Sequence, residues 1–120
     1  MGKKFRFEKK FIDLGDIEGK NYKIEHNQKV FEKKDKVFHE MEVYQKDLAK
    51  IKTTEAGLKK LDTFMRDSVD SFLGEGEYDS ILKGRAFDIY ERIDLTMYVL
   101  ACIGSADEKR IQKVADIAAK

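Results

Sequence analysis

The stretch Ser71-Phe72-Leu73-Gly74-Glu75-Gly76-Glu77-Tyr78-Asp79 constrains the chain more than any other, because helix-forming sequence flanks it on both sides. Two glycines separated by one acid stop the preceding helix, since glycine accepts the left-handed conformation that ends helices without a Cβ penalty. On the near side Leu58, Leu61, Met65, Val69 and Phe72 recur at helical spacing and make one apolar face. On the far side Tyr78, Ile81 and Leu82 place an apolar cluster in the next turn. The two segments can therefore fold back on each other, and the spacing predicts a helix corner. A phosphate-cradling loop is excluded. It needs a preceding strand and Lys-Ser or Lys-Thr after the second glycine, whereas Glu75, Glu77 and Asp79 would repel phosphate.

Upstream of the corner, Asn27 can cap a helix by accepting from a first-turn amide. Val30, Val37, Met41, Tyr44, Leu48 and Ile51 then follow in a heptad-like stripe, widened by Phe31, Phe38 and Val43. This predicts a long amphipathic helix to about Ile51, with Thr53 and Thr54 as the break and cap before the next one. The run Lys33-Lys34-Asp35-Lys36 reads as a solvated face.

Before Asn27 the period changes to two. Phe5, Phe7 and Phe11 would project to one side, and Lys4, Arg6, Glu8 and Lys10 to the other, which predicts a strand over Lys3 to Ile12 with its phenylalanines buried. Tyr22 and Ile24 share that period, and Gly15, Asp16, Glu18 and Gly19 supply turn chemistry between them. A two-stranded hairpin is marginal alone, so it must pack on helices or on a strand of another copy. Residues 1–26 thus form a hairpin segment and 27–120 a helical part of one domain.

After the corner a short helix runs to about Lys83, followed by Gly84 and Arg85. Phe87, Tyr90, Ile93, Met97 and Leu100 then keep helical spacing with Ile89, Leu95, Val99 and Ile103 on the flanks, so this helix is expected at the centre of the core. Gly104 is expected to end it. Ser105 and Glu108 have the spacing of a capping box for a last helix, whose shallow stripe of Ile111, Val114, Ala115 and Ala118 suits docking on the domain or on a sister subunit. The fold class is α+β, mainly helical, with four to five helices and an N-terminal hairpin.

At 42% hydrophobic and 39% charged residues the chain can bury a single modest core while carrying more charge than the roughly 25% usual in soluble domains. Lys plus Arg number 24 against 23 acids, so no global field favours nucleic acid, anionic lipid or acidic substrates. No run approaches a bilayer-spanning length, and the N-terminal residues lack a signal-peptide core and the myristoylation pattern. A cytoplasmic protein with no membrane partner is the expectation.

Chemistry finds little purchase in the pattern. Cys102, the single cysteine, excludes an internal disulfide and a thiolate zinc site, and lies among Leu100, Ala101 and Ile103 as a core residue would. Asp35 and His39 have helical metal-pair spacing, but two ligands are too few for a site, and His26 lies far from them in sequence. The serines lack a nucleophile elbow, and no carboxylate pair sits in a recognisable apolar pocket. No catalytic, cofactor-binding or metal residue is expected.

A phenylalanine-rich helix running into Leu73-Gly74-Glu75-Gly76, then Tyr78 and a second short helix, resembles the corner of the tail assembly chaperones of long-tailed phages and prophages of Gram-positive bacteria. The layout of a short β-segment at Ile17 to Ile24 followed by helices is also similar. The resemblance implies a non-enzymatic protein without a cofactor, which solubilises the tape measure protein, helps recruit tail tube subunits and forms homo-oligomers in the bacterial host cytoplasm. Under it, Phe31, Phe38, Tyr44, Leu73 and Tyr78 are the candidate partner-binding residues. The alternative is a small oligomeric regulator of a mobile element, binding nucleic acid through its basic N-terminal third. Nucleic acid is the less expected partner, since the charge is balanced overall and the phenylalanines have a buried strand face to explain them.

Overall fold

The computed structural model describes residues 2–7 and 9–119; Met1, Glu8 and Lys120, and with Glu8 its expected wet-face position, lie outside the described residues. Two strands, β1 (Phe11–Ile17) and β2 (Lys20–Glu25), pair antiparallel. Five helices follow: α1 (Gln28–Lys46), α2 (Leu48–Ile51), α3 (Glu55–Leu73), α4 (Glu77–Leu82) and α5 (Ile89–Ala118). The chain is thus α+β and mainly helical, drawn out to 67 × 29 × 18 Å.

The hairpin begins later than the aromatic alternation predicts. Its buried face is Ile12, Leu14 and Ile17 on β1 with Tyr22 and Ile24 on β2. Phe5, Phe7 and Phe11 are 79%, 93% and 58% exposed, which corrects the expected strand over Lys3 to Ile12. The cause is the length of the partner. Strand pairing stops where Phe11 meets Glu25, one residue short of the last cross-hairpin bond, from the His26 N–H to the Lys10 carbonyl at 2.9 Å. A bulge between Asp13 and Gly15 explains why the buried positions read 12, 14 and 17 rather than strict alternation. Gly15 sits at φ +71°, and its N–H donates to Asp13 Oδ1 at 2.8 Å. Glu18 and Gly19, both with positive φ, form the two-residue turn, and Asp16 Oδ1 accepts from the Gly19 N–H at 2.7 Å.

Strand β1 rests on α5 and β2 on α3, so helices of the same chain cover the hairpin. Tyr98 of α5 donates to the Leu14 carbonyl beside the bulge at 2.6 Å. One core cluster joins the hairpin to Phe31, Ile81, Val99 and Ile103. A second joins Val37, Met41, Leu61, Met65, Val69, Tyr78, Leu82, Ile89 and Leu100. Helix α5 contributes to both.

Asn27 caps α1 through the Val30 N–H, as its position predicts. The expected long first helix is interrupted at Asp47, whose backbone (φ −98°, ψ 10°) leaves helical geometry before the single turn of α2. Thr54 caps α3 through the Gly57 N–H. The corner then forms where the glycines require it. Gly74 adopts φ 124°, ψ 152° and Gly76 φ 84°, ψ −6°. Asp70 clasps the far side, accepting from the Gly76 and Tyr78 N–H groups at 3.1 and 2.9 Å.

Gly104 does not end its helix. Residues 89–118 form one continuous helix, and the Ser105–Glu108 capping box is not used. A helical interior glycine costs only about 1 kcal/mol relative to alanine, and Ile103 and Ala106 pack on the hairpin cluster from either side of it. Burial of those neighbours outweighs the break. The buried face is also rotated from the predicted one. Ile89, Thr96, Val99, Leu100 and Ile103 are buried, while Phe87 and Tyr90 are about half exposed.

Candidate partner-binding surface

The five residues singled out from the sequence do not converge. Phe31 and Tyr78 are buried at 7% and 0% exposure and serve the two core clusters, so neither presents its ring to a partner in this conformation. Leu73 is half-buried between both clusters, and Tyr44 is half-buried against Phe64, with ring centroids 5.2 Å apart. Phe38 alone of the five is exposed, at 39%. The wide stripe of α1 is consumed largely in packing against α3 and α5.

A stripe of uncovered apolar side chains lies on α5 instead. At 100° per residue, Ile111, Val114 and Ile117 continue the side that buries Thr96, Leu100 and Ile103. Here, however, no element among the described residues packs over it, and the three are 62%, 63% and 64% exposed. The stripe is legible for Ile111 and Val114, but a separate docked helix hides its direction. Once α5 is continuous, the stripe belongs to the core side and outruns the domain body.

Beside it a hollow of about 570 Å³ is lined by His26, Asn27, Gln28, Phe31, Asp107, Arg110, Ile111 and Val114. The His26 ring meets Phe31 edge to face at 4.6 Å, and its Nε2 is buried with no hydrogen-bond partner among the described residues. Burial holds the imidazole below its usual pKa, Arg110 adds to this, and Asp107 opposes it. The ring is therefore biased to its neutral form, and the hollow combines apolar walls with one polar atom to satisfy.

A charged network at the centre keeps α3, α4 and α5 in register. Asp62 is 8% exposed. Its Oδ1 accepts from the Tyr78 hydroxyl at 2.7 Å and Arg92 Nη1 at 2.8 Å, and its Oδ2 accepts from Arg66 Nη2 at 3.2 Å. Arg66 Nε also reaches Asp79 at 3.0 Å. The Arg92 guanidinium lies 4.6 Å from the centre of the Phe87 ring. Burial alone would raise the Asp62 carboxyl, but hydrogen bonds from Arg92 and Tyr78 outweigh it and hold the group below its ordinary range. The Tyr78 hydroxyl is pushed well above its ordinary value by burial and by Asp62. A carboxylate so paired is neither a ready base nor an open ligand. Asp62 and Arg66 stand at ion-pair spacing in the sequence, whereas Arg92, thirty residues away, gives no local signal.

A second clasp ties the hairpin to the corner. Glu77 accepts from Lys20 Nζ at 2.8 Å and from the Tyr22 hydroxyl at 2.7 Å. Cys102 is half-buried against the hairpin cluster. His39 is exposed, with Glu42 at 3.4 Å. Among the described residues no group of three or more His, Cys, Asp or Glu could hold a metal ion, and no helix is long and apolar enough to cross a membrane.

Comparison with family models, with curated proteins and with solved structures found no match. Fold and surface together define a small, mainly helical α+β domain whose longest helix carries an uncovered apolar stripe beyond its own core.

Proposed function

We propose that this chain is a non-enzymatic phage tail assembly chaperone of the bacterial host cytoplasm, which binds amphipathic helices of the tape measure protein and helps recruit tail tube subunits. One observation carries the reading: the core side of α5 runs on, uncovered, as Ile111, Val114 and Ile117. A client helix presents apolar residues at i, i+3, i+4 and i+7, and lays them against such a stripe. The hollow beside Phe31 extends the surface for a further side chain. Covering each of the three residues would contribute roughly 1–2 kcal/mol. Set against the cost of association, this supports a modest affinity, which suits a chaperone that must hand its client on. The identity of the client comes from the resemblance at Leu73 to Tyr78.

A second reading, a regulator binding nucleic acid, is favoured by the exposure of Phe5 and Phe7 among Lys4, Arg6 and Lys9. Bases could stack on those rings. Tagged protein purified from its host during prophage induction separates the two. Co-purification of an identified tape measure or tail tube protein supports the chaperone, and recovery of nucleic acid without either overturns it.

A further inference from the structure

We propose that the groove between the hairpin turn and α5 docks an extended segment of another protein in which apolar side chains alternate with Arg or Lys. The groove encloses about 430 Å³, within the range of ligand-binding clefts. Ile17, Ile81, Leu82 and Leu95 line it with carbon, and Asp16, Glu18, Glu91 and Asp94 with carboxylates. The four apolar residues are buried or half-buried, whereas Asp16, Glu18 and Asp94 are exposed. The floor is therefore apolar and the rim acidic.

Four carboxylates against one guanidinium leave the lining with a formal charge of −3. The guanidinium is that of Arg85, the one cation among the described residues that line the groove. It comes from the connection between α4 and α5, where Gly84 turns at φ +81°. Its Nε and Nη2 both donate to the Glu91 carboxylate, and its Nη1 stands 3.9 Å from Glu18. The groove thus already holds one guanidinium, in the two-pronged geometry by which carboxylates select arginine. Asp94, one turn along α5 from Glu91, has no hydrogen bond or ion pair among the described residues. An incoming cation can meet it without displacing Arg85.

The charge and the floor together choose the partner. An anionic segment is repelled by the rim, and a purely apolar one would cover carboxylates without pairing them. Lys and Arg serve both, since their stems lie on apolar surface while their charged heads stay at the wet edge. In an extended chain the alternating apolar side chains then point the other way, to the floor. Phe5 and Phe7 of this chain alternate with Lys4 and Arg6 in the same manner, but their rings meet each other at 4.8 Å and do not line the groove.

The groove is also separate from the stripe of Ile111, Val114 and Ile117. Asp94 and Val114 lie on one continuous helix, about 30 Å apart along its axis and about 200° apart around it. Both surfaces can be occupied at once, and the groove's partner is independent of what the stripe binds.

Fluorescence anisotropy with three synthetic peptides tests the proposal: one alternating Arg with Leu, one with Ser in place of Leu, and one with Glu in place of Arg. The chain is expected to bind the first at least about tenfold more tightly than the others, and less tightly as salt is raised. Asp94→Arg should weaken binding at least about tenfold, and Glu18→Asn by a smaller factor. Thermal melts should not change, since both positions are exposed and asparagine accepts the positive φ of Glu18. A photoreactive leucine analogue in the peptide should label residues 16–18 and 81–98. Equal binding of the three peptides, binding that neither groove substitution weakens, weakening by Val114→Asp, or labels at the end of α5 would each overturn it. So would tighter binding after Phe5→Ser with Phe7→Ser, which would show the chain's own segment, from the same or a second copy, already in the groove.

Discussion

Tyr78 and Asp62 form a buried pair: the hydroxyl at the start of α4 donates to a carboxylate of α3 at 2.7 Å, on a ring with no measurable exposure. Tyr78→Phe keeps the ring but removes a hydrogen bond to a charged acceptor, and is expected to cost about 1.5–3 kcal/mol. Asp62→Ala should cost more, about 3 kcal/mol or above, because Arg92, 14% exposed, loses its partner and stays buried. Denaturant titration of the two variants checks the order. Equal costs would mean that Arg92 swings out to water.

The same chemistry sets two pH limits. Asp62 is held below its ordinary value, so its stabilising contribution is present above the unfolded pKa near 3.8 and is lost as pH falls through the lower folded value. Tyr22 is pushed up to about 12 by burial and by Glu77. The unfolded phenol ionises first, near pH 10, so this contribution falls as pH rises from about 10 to about 12. Stability curves of Asp62→Asn and Tyr22→Phe should each lose slope on one side, acid for the first and alkaline for the second.

Gly57 stands in the first turn of α3, where alanine would ordinarily gain up to about 1 kcal/mol of helix propensity. A Cβ there would lie 2.6 Å from the Ile51 carbonyl oxygen and 2.9 Å from Thr54 Oγ1. The clash is with backbone and should win. Gly57→Ala is expected to destabilise by about 1–3 kcal/mol, read as a lower melting temperature.

At the corner, the two glycines should differ. Gly74 occupies a region essentially closed to other residues, and Gly76 the left-handed helical region that asparagine tolerates. Neither added Cβ meets a close neighbour, so the costs are conformational. Gly74→Ala should cost about 1–3 kcal/mol, and Gly76→Asn should be milder in the same denaturation series.

The corner was legible because it is local. Gly74, Gly76 and the flanking apolar spacing fix it whatever surrounds them. The helix stripes through Leu61, Met65 and Val69, and the caps at Asn27 and Thr54, were readable for the same reason. The hairpin start was not, because Phe5 and Phe7 alternate as a strand does while the length of β2 decides which residues are paired. Gly104 misled in the opposite direction, since tertiary packing of Ile103 and Ala106 overrode a local stop signal. The candidate surface followed that error: only a continuous α5 turns Ile111, Val114 and Ile117 into the extension of the core side. The Asp62–Arg92 contact joins residues thirty positions apart, and no spacing rule announces it.

The most direct measurement is the affinity of the chain, against its Val114→Asp variant, for an amphipathic helical segment of a tape measure protein from a long-tailed phage of Gram-positive bacteria. Val114 is 63% exposed, so the substitution should leave the melt unchanged. Loss of its apolar contact and burial of a charge should weaken binding at least tenfold, equivalent to about 1.4 kcal/mol or more. Binding by the wild-type chain that Val114→Asp leaves untouched, or no binding by either, would contradict the role assigned to α5.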